Sequence, residues 1–276
     1  MNGPAVLPFG TLPCAVHRTG DRVVLPKIPL PLWDAGPYLY AMSEEKPNYR
    51  KQILCLANSR RPGGRCVAGK ELAGDKIGHW VRPVNARNND AITESDLQDK
   101  DGSSSDVLDI VSVPFIQAMP TGHQQENHNI NPNFYWLRQG RATWDQIVAA
   151  TDNVQGPLWV NGDHSYHGMN DKVSQQLASQ LKSSLFLIEP KKLSLIVAEE
   201  SQYGGGSRRR VRAALKFDGV DYNFVATDPW IETKYFAGKD GTYPISVCRV
   251  CVSLAEVVGD SATKLVASVI TPDRVV

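Results

Sequence analysis

Apolar residues run unbroken through residues 52–57 (QILCLA), the texture of a buried β-strand. Residues 65–69 (RCVAG) make a second apolar run. Residues 78–84 (GHWVRPV) alternate apolar and polar side chains, as a strand with one buried face does. The alternation continues through residues 107–115 (VLDIVSVPF), where Val107, Asp109, Val111 and Val113 face one way and Leu108, Ile110 and Ser112 the other. Residues 85–105, rich in Asn, Asp and Ser, read as a long loop with one short helix near residues 94–97. Past residue 117 the pattern changes. Thr143 and Gln146 are spaced as a capping box for a short helix over residues 144–150. Val173, Leu177 and Leu181 recur every four residues opposite Gln and Lys, which predicts the clearest helix of the chain over residues 171–184. From residue 192 strands return, at residues 193–199, 210–217, 222–227, 247–254 and 265–270, with an Asp218-Gly219 hairpin signal between the second and third. Two clusters of strands predict a mainly β chain (α+β), with two small barrels or sandwiches rather than βαβ units. The expected division is a first barrel over residues 49–120, a connecting region with helices over 121–190, and a second barrel over 191–276. No internal repeat is visible.

Residues 1–48 carry eight prolines from Pro4 to Pro47. Proline fixes φ and lacks a donor, so this stretch predicts an extended arm rather than helix or central strand. It is the natural docking segment if the protein is an adaptor between other proteins. The whole chain has 276 residues and a net charge of +1, so electrostatic binding has to come from local clustering. Apolar runs are far too short to span a bilayer, which argues against a membrane partner. The N-terminus lacks a basic leader, and the five cysteines are irregularly spaced. Together they suggest reduced thiols in a cytoplasmic protein.

Several stretches together bring a family into view: residues 55–71 (CLANSRRPGGRCVAGKE), 78–87 (GHWVRPVNAR), 108–114 (LDIVSVP), 123–127 (HQQEN) with Tyr135-Trp136, 211–232 (VRAALKFDGVDYNFVATDPWIE), 252–256 (VSLAE) and 264–270 (KLVASVI). In collinear order over about residues 50–272, the chain resembles the bacterial dual OB-containing domain proteins. The resemblance implies two OB-like β-barrels with a short helical insertion between them. It also implies recognition of nucleic acid or a nucleotide, within bacterial conflict and antiviral defence systems. It brings no catalytic residues.

The residues themselves suggest where such binding would occur. Residues 51–71 end in a strand–turn–strand whose Pro62-Gly63-Gly64 tip is crowded by Arg60, Arg61 and Arg65, with no acid between Asn48 and Glu71. A guanidinium is a planar fork of donors suited to phosphate oxygens. The spacing from Gly64 to Lys70 imitates a Walker A loop, but Glu71 stands where Ser or Thr is required. Residues 203–212 (YGGGSRRRVR) repeat the theme with Tyr203, Arg208, Arg209, Arg210 and Arg212. These seven arginines, with Arg82, are the expected phosphate contacts for single-stranded or distorted DNA or RNA. Trp80 and Tyr203 are the expected stacking platforms, with Tyr135, Trp136 and Trp230 as further aromatics. For each the alternative is a place in the core.

The competing reading is an enzyme that hydrolyses or modifies a nucleotide or base. Its candidates are His123, Glu126 and Asp163, near His128, His164 and His167, with a divalent metal on the carboxylates. No other cofactor is implied. Cys66 among arginines could be a nucleophile or a structural thiol. Cys248 and Cys251 are spaced as zinc ligands, but residues three apart on a strand face opposite ways. Asp228 before Pro229 reads as turn chemistry, or as a ligand-orienting group if it faces solvent beside the arginines.

Overall fold

A computed structural model describes residues 47–74, 76–202 and 204–275. The proline-rich arm expected over residues 1–48 lies, except for its last two residues, outside the described residues, as does Tyr203. Two sheets account for most of the described chain. The first is built from β1 (Tyr49–Arg61), β2 (Gly64–Ala73), β3 (Lys76–Val84), β4 (Asp109–Ala118), β5 (Asn127–Ile130) and β6 (Leu137–Arg141). Its pairings run β1-β2-β3-β5-β4 and return from β4 to β1, so five strands close a barrel, and β6 extends β4. One strand makes closure possible. The first half of β1 pairs with β4 and its second half with β2, with a bulge between Cys55 and Ala57. Gly69 is required opposite that bend, because a Cβ there would lie 2.1 Å from the Leu54 carbonyl oxygen.

The second sheet contains β7 (Lys172–Ser174), β8 (Leu185–Ile188), β9 (Lys192–Ser201), β10 (Ser207–Phe217), β11 (Val220–Ala226), β12 (Gly241–Ile245), β13 (Arg249–Val258) and β14 (Ser261–Ile270). Its central path, β9-β10-β11-β14-β13, repeats the order of the first barrel. Even the parallel pair recurs, β3 with β5 in the first and β11 with β14 in the second. Here β12 occupies the outer edge of β9 and β8 that of β13, so the ring is not closed by a β9–β13 pairing. The duplication invisible in the residues is therefore present in the topology.

Burial explains the strand patterns. Ile53 and Cys55 enter the first barrel's core with Val111, Val113 and Phe115. Leu54 and Leu56, on the opposite face of β1, pack with Leu185, Leu187, Cys251, Ala267 and Ile270 of the second sheet. QILCLA is continuously apolar because both its faces are covered. Cys248 likewise packs in the second core and Cys251 between the barrels, so the two thiols face apart.

The region expected to connect the barrels through helices contributes β5 and β6 to one sheet and β7 and β8 to the other. Its helix α1 (Trp144–Ala149) carries the expected capping box, with both Thr143–Gln146 bonds formed. The long helix expected over residues 171–184 is replaced by β7 and one turn, α2 (Gln175–Ala178). Strand pairing of residues 172–174 with β14 overrides the local helical period, and buried Val173 is held in the second core from that strand. Residues 94–96 form a turn around Asp96, whose carboxylate accepts from Thr93, rather than a helix. The remaining helices are α3 (Pro229–Phe236), which follows β11, and α4 (Pro272–Val275).

Buried charge also crosses the seam between the barrels. Arg82 of β3 and Glu126 before β5 pair at 3.2 Å with side chains only 3% and 7% exposed. Ser184 bridges them, accepting from Arg82 Nη2 at 2.7 Å and donating to Glu126 Oε1. Lys70 and Asp152 pair at 2.5 Å, and Asp152 also accepts from Trp80 Nε1 and the Leu187 amide. Removing one partner of such a pair leaves a buried charge uncompensated, whereas replacing both by apolar groups does not. Glu126→Ala should therefore cost about 3–5 kcal/mol in urea unfolding, and Arg82→Met with Glu126→Leu should recover most of that loss. Equal destabilisation by the single and the double variant would contradict the pairing.

Candidate nucleic-acid interface

Strand β10 separates its arginines by side. Arg208, Arg210 and Arg212 alternate onto one face, and Arg209 falls on the other. Arg209 is fully occupied there, donating to Asp240, Phe236 O and Gly238 O at 2.8 Å each. The other face forms one wall of a cleft of about 890 Å³, lined by Arg210 and Arg212, Glu200 of β9, Val225 and Thr227 of the β11 end, and Tyr166 and His167. Glu200 accepts from Arg212 at 2.5 and 3.1 Å and pairs with Arg210 at 3.7 Å. One carboxylate thus serves two guanidiniums, and Arg212 Nη1 is buried without a hydrogen-bond partner among the described residues. Arg208 makes no ion pair among the described residues. Partial burial lowers the pKa of Arg210, followed by repulsion from Arg208, with Arg212 and Arg60 adding to it.

That last contribution brings the two basic hairpins together. Arg60, at the end of β1, lies close enough to Arg210 for their charges to interact, and its backbone amide donates to Thr227 O at 2.9 Å. Beside it a second cavity of about 330 Å³ opens between the barrels and shares Thr227 and Leu265 with the cleft. The first hairpin's arginines are all paired with acids: Arg60 with Glu232, Arg61 with Glu256 at 3.4 Å, and Arg65 with Glu94 at 2.8 Å. Arg60 remains 43% exposed. Arg65 lines a different cavity, on the α3 side of the first barrel. The Gly64–Lys70 segment is extended strand rather than a phosphate loop.

Other expected site residues are placed elsewhere. Arg82 is a seam residue; with its guanidinium buried against Glu126 it is not presented to a phosphate backbone. Trp136 is 1% exposed in the first core, and Trp80 packs at the seam under Lys70, so neither is an open stacking platform. Trp230 is covered by Arg274 and Lys234. Tyr135 lends its carbonyl to Arg50. Of the prospective acid–base group, His123 Nε2 meets Ala255 O at 2.9 Å across the seam, and Glu126 holds Arg82 within the first barrel and accepts from Ser184 across the seam. Asp163 lies in an exposed turn bridged to Lys172, and no hydrogen bond or ion pair joins it to the other two among the described residues. His164 and His167 likewise hold backbone groups. Burial raises the Cys248 thiol to about 11 and drives Cys55 and Cys251 higher. Asp228 is fully buried, caps α3 and pairs with Arg274 at 2.6 Å, so it serves the turn and not a ligand.

The aromatic that sequence reasoning misses is Tyr166. It is 89% exposed at the cleft, edge-on to His167 at 4.5 Å. Its only signal is its place inside His164-Ser-Tyr-His167, where the flanking histidines dominate the pattern. The loop that presents it is anchored by a buried cation. Lys264 of β14 is 0% exposed and donates to Val160 O at 2.6 Å and Asn161 Oδ1 at 3.1 Å. Its backbone amide donates to Asp171 O, and the Asp171 carboxylate receives Ser165 at both amide and hydroxyl. Burial lowers the Lys264 pKa from 10.5 to about 8, against the opposing pull of Asp171 and Asp163.

One family model matches the chain, that of the dual OB-containing domain, over residues 51–269. No curated protein and no solved structure gives a match. No helix among the described residues is long and apolar enough to cross a membrane.

The lowered lysine pKa has a defined sign. Between about pH 8 and 10.5 the unfolded chain holds a proton that the folded chain has released, so stability rises with pH through that window. Relative to Lys264→Met, the native chain should gain up to about 3 kcal/mol across it in urea unfolding. A difference between the two that is flat with pH would show that Lys264 is not held as a buried cation.

Proposed function

The chain belongs to the dual OB-containing domain family, and on that premise we propose that it binds single-stranded or distorted nucleic acid across the β9–β10–β11–β14 face of its second barrel. OB folds take oligonucleotides on the face of their second and third strands and on adjoining loops. By strand order β10 and β11 are those strands, and the glycine hinge Gly204-Gly205-Gly206 belongs to the corresponding first loop. The observation that carries the reading is the charge imbalance there. Arg210 and Arg212 share Glu200, Arg60 pairs with Glu232, and Arg208 makes no ion pair among the described residues, so four guanidiniums meet two carboxylates. Guanidiniums in excess over carboxylates are donors suited to phosphate oxygens.

Tyr166 and His167 supply an aromatic surface at the same cleft, and stacking on an aromatic is tolerant of base identity. The phosphate-contacting set is therefore Arg60, Arg208, Arg210 and Arg212, with Arg61 near the entrance to the inter-barrel cavity. The same proposal places the protein in a bacterial cytoplasm, within a conflict or defence system. The geometry favours binding over catalysis, because His123 and Glu126 are engaged across the seam.

Anisotropy titrations with a single-stranded oligonucleotide at several salt concentrations test this. Arg208→Ala with Arg210→Ala should weaken binding and flatten the slope of log affinity against log salt by about 0.7 for each phosphate no longer neutralised. Arg209→Ala, on the opposite face, should leave the slope unchanged. A slope that ignores the first pair of substitutions removes this face from the site.

A further inference from the structure

The inter-barrel cavity is chemically unlike the cleft it joins. Its volume is about 330 Å³, and apolar Pro62, Ala255, Val258, Leu265 and Ala267 form much of its wall. That is near the low end of small-molecule sites, which run from about 300 to 1,000 Å³. Pro62 comes from the β1–β2 turn of one barrel and Val258 from the β13 end of the other, so both barrels are needed to make the slot. Val258 is 80% exposed at its edge, an uncovered apolar side chain. Arg82 also lines the slot and is 2% exposed, and its buried Nε–H has no hydrogen-bond partner among the described residues. Arg82 is otherwise committed through Nη2 to Glu126 and the seam serines.

We propose that this slot takes one base of the bound strand, drawn out of the cleft between the two barrels. The inference rests on the proposed binding of a strand to the adjoining face. A nucleobase has the required chemistry: flat apolar faces for Pro62 and Val258, and ring-nitrogen or carbonyl acceptors for the polar side chains of the lining, Ser59, Asn89 and Gln124. The route is continuous, because Thr227 and Leu265 line both cavities. Arg60 and Arg61 line the slot, so a guanidinium stands at the place where the phosphate of the entering base would pass.

Cys66 reports on the slot directly. It lines the cavity and is half-buried, whereas Cys55, Cys248 and Cys251 are buried with raised pKa values. Alkylation of full-length protein by iodoacetamide, read peptide by peptide in a mass spectrometer, isolates Cys66 from every other thiol. A short single-stranded oligonucleotide at about ten times its Kd should slow Cys66 alkylation about tenfold. An abasic strand of the same length, bound to the same occupancy, should slow it by less than about twofold. Val258→Asp, an exposed substitution, should abolish protection while the strand still binds with an unchanged salt slope. Strand binding with no protection of Cys66 would overturn the slot and leave the basic face standing. Equal protection by the abasic strand would also overturn it, since the backbone alone would then cover the mouth. Absence of any salt-dependent strand binding would overturn both.

Discussion

Strand β1 is buried on both faces, and the arrangement of everything else follows from that. One face, with Ile53 and Cys55, fills the first barrel, and the other, with Leu54 and Leu56, is pressed against the second sheet. A strand in that position cannot be solvated by separating the barrels. Exposing the Leu54–Leu56 face would lose roughly 1.5–3 kcal/mol for each large apolar side chain. The barrels are therefore held in one arrangement rather than hinged on a linker. The backbone bond from Arg60 to Thr227 O and the Ser268 hydroxyl bond to Leu56 O at 2.5 Å continue the same contact. The far end of β1 carries Arg60 and the turn of the first hairpin. Fixing β1 against β14 thus brings that hairpin beside β10, and two basic hairpins far apart in sequence share one groove.

Their electrostatics differ in a way that matters for binding. Arg61 and Arg65 each pair with an exposed acid, where the pair contributes little to stability and exchanges readily for another anion, whereas Arg60 is half-exposed but its acid, Glu232, is nearly buried. Arg210 and Arg212 share Glu200, which is nearly buried, so their excess positive charge is built into the sheet. A strand arriving at this face would find the second-barrel arginines preorganised and would displace carboxylates only at the first hairpin. Preorganised donors at a partly desolvated site give stronger and more directional contacts than flexible surface lysines.

What the sequence made legible depended on how local its cause was. The runs QILCLA, CVSLAE and KLVASVI show as strands because two-sided burial leaves a continuous apolar signal within one segment. The capping box at Thr143 is equally local, four residues making both its bonds. Residues 171–184 mislead because Val173, Leu177 and Leu181 do pack on the second core, but from a strand, a turn and a loop in succession. Pairing of residues 172–174 with β14, some ninety residues on, leaves no mark in the segment itself. The site divides in the same way. Arginine crowding at the hairpin tips is visible, and so is the prospect of a basic face. The side to which each arginine turns is only half visible: the period of two separates Arg209 from its neighbours, but the acids that occupy them lie far away in sequence. His123 and Glu126 resemble acid–base chemistry because polar, ionisable residues cluster there; their partners, Ala255 and Ser184 with Arg82, come from distant strands.

Two buried donors without a hydrogen-bond partner among the described residues, Arg212 Nη1 and Arg82 Nε, belong to residues lining the two joined cavities. Lys264, a buried cation held below its ordinary pKa, fastens the loop that presents Tyr166 to the same cleft. Each of these raises the free energy of the empty protein, by about 1–3 kcal/mol for an unpaired donor. A fold selected for stability alone would replace such groups with apolar ones of similar size, which is often neutral or stabilising. Unpartnered buried polar atoms occur elsewhere too, at Asn58, Ser105, Asn127, Asn223 and Thr271, but the two at the groove are guanidinium donors, the kind that an acceptor-rich ligand would suit.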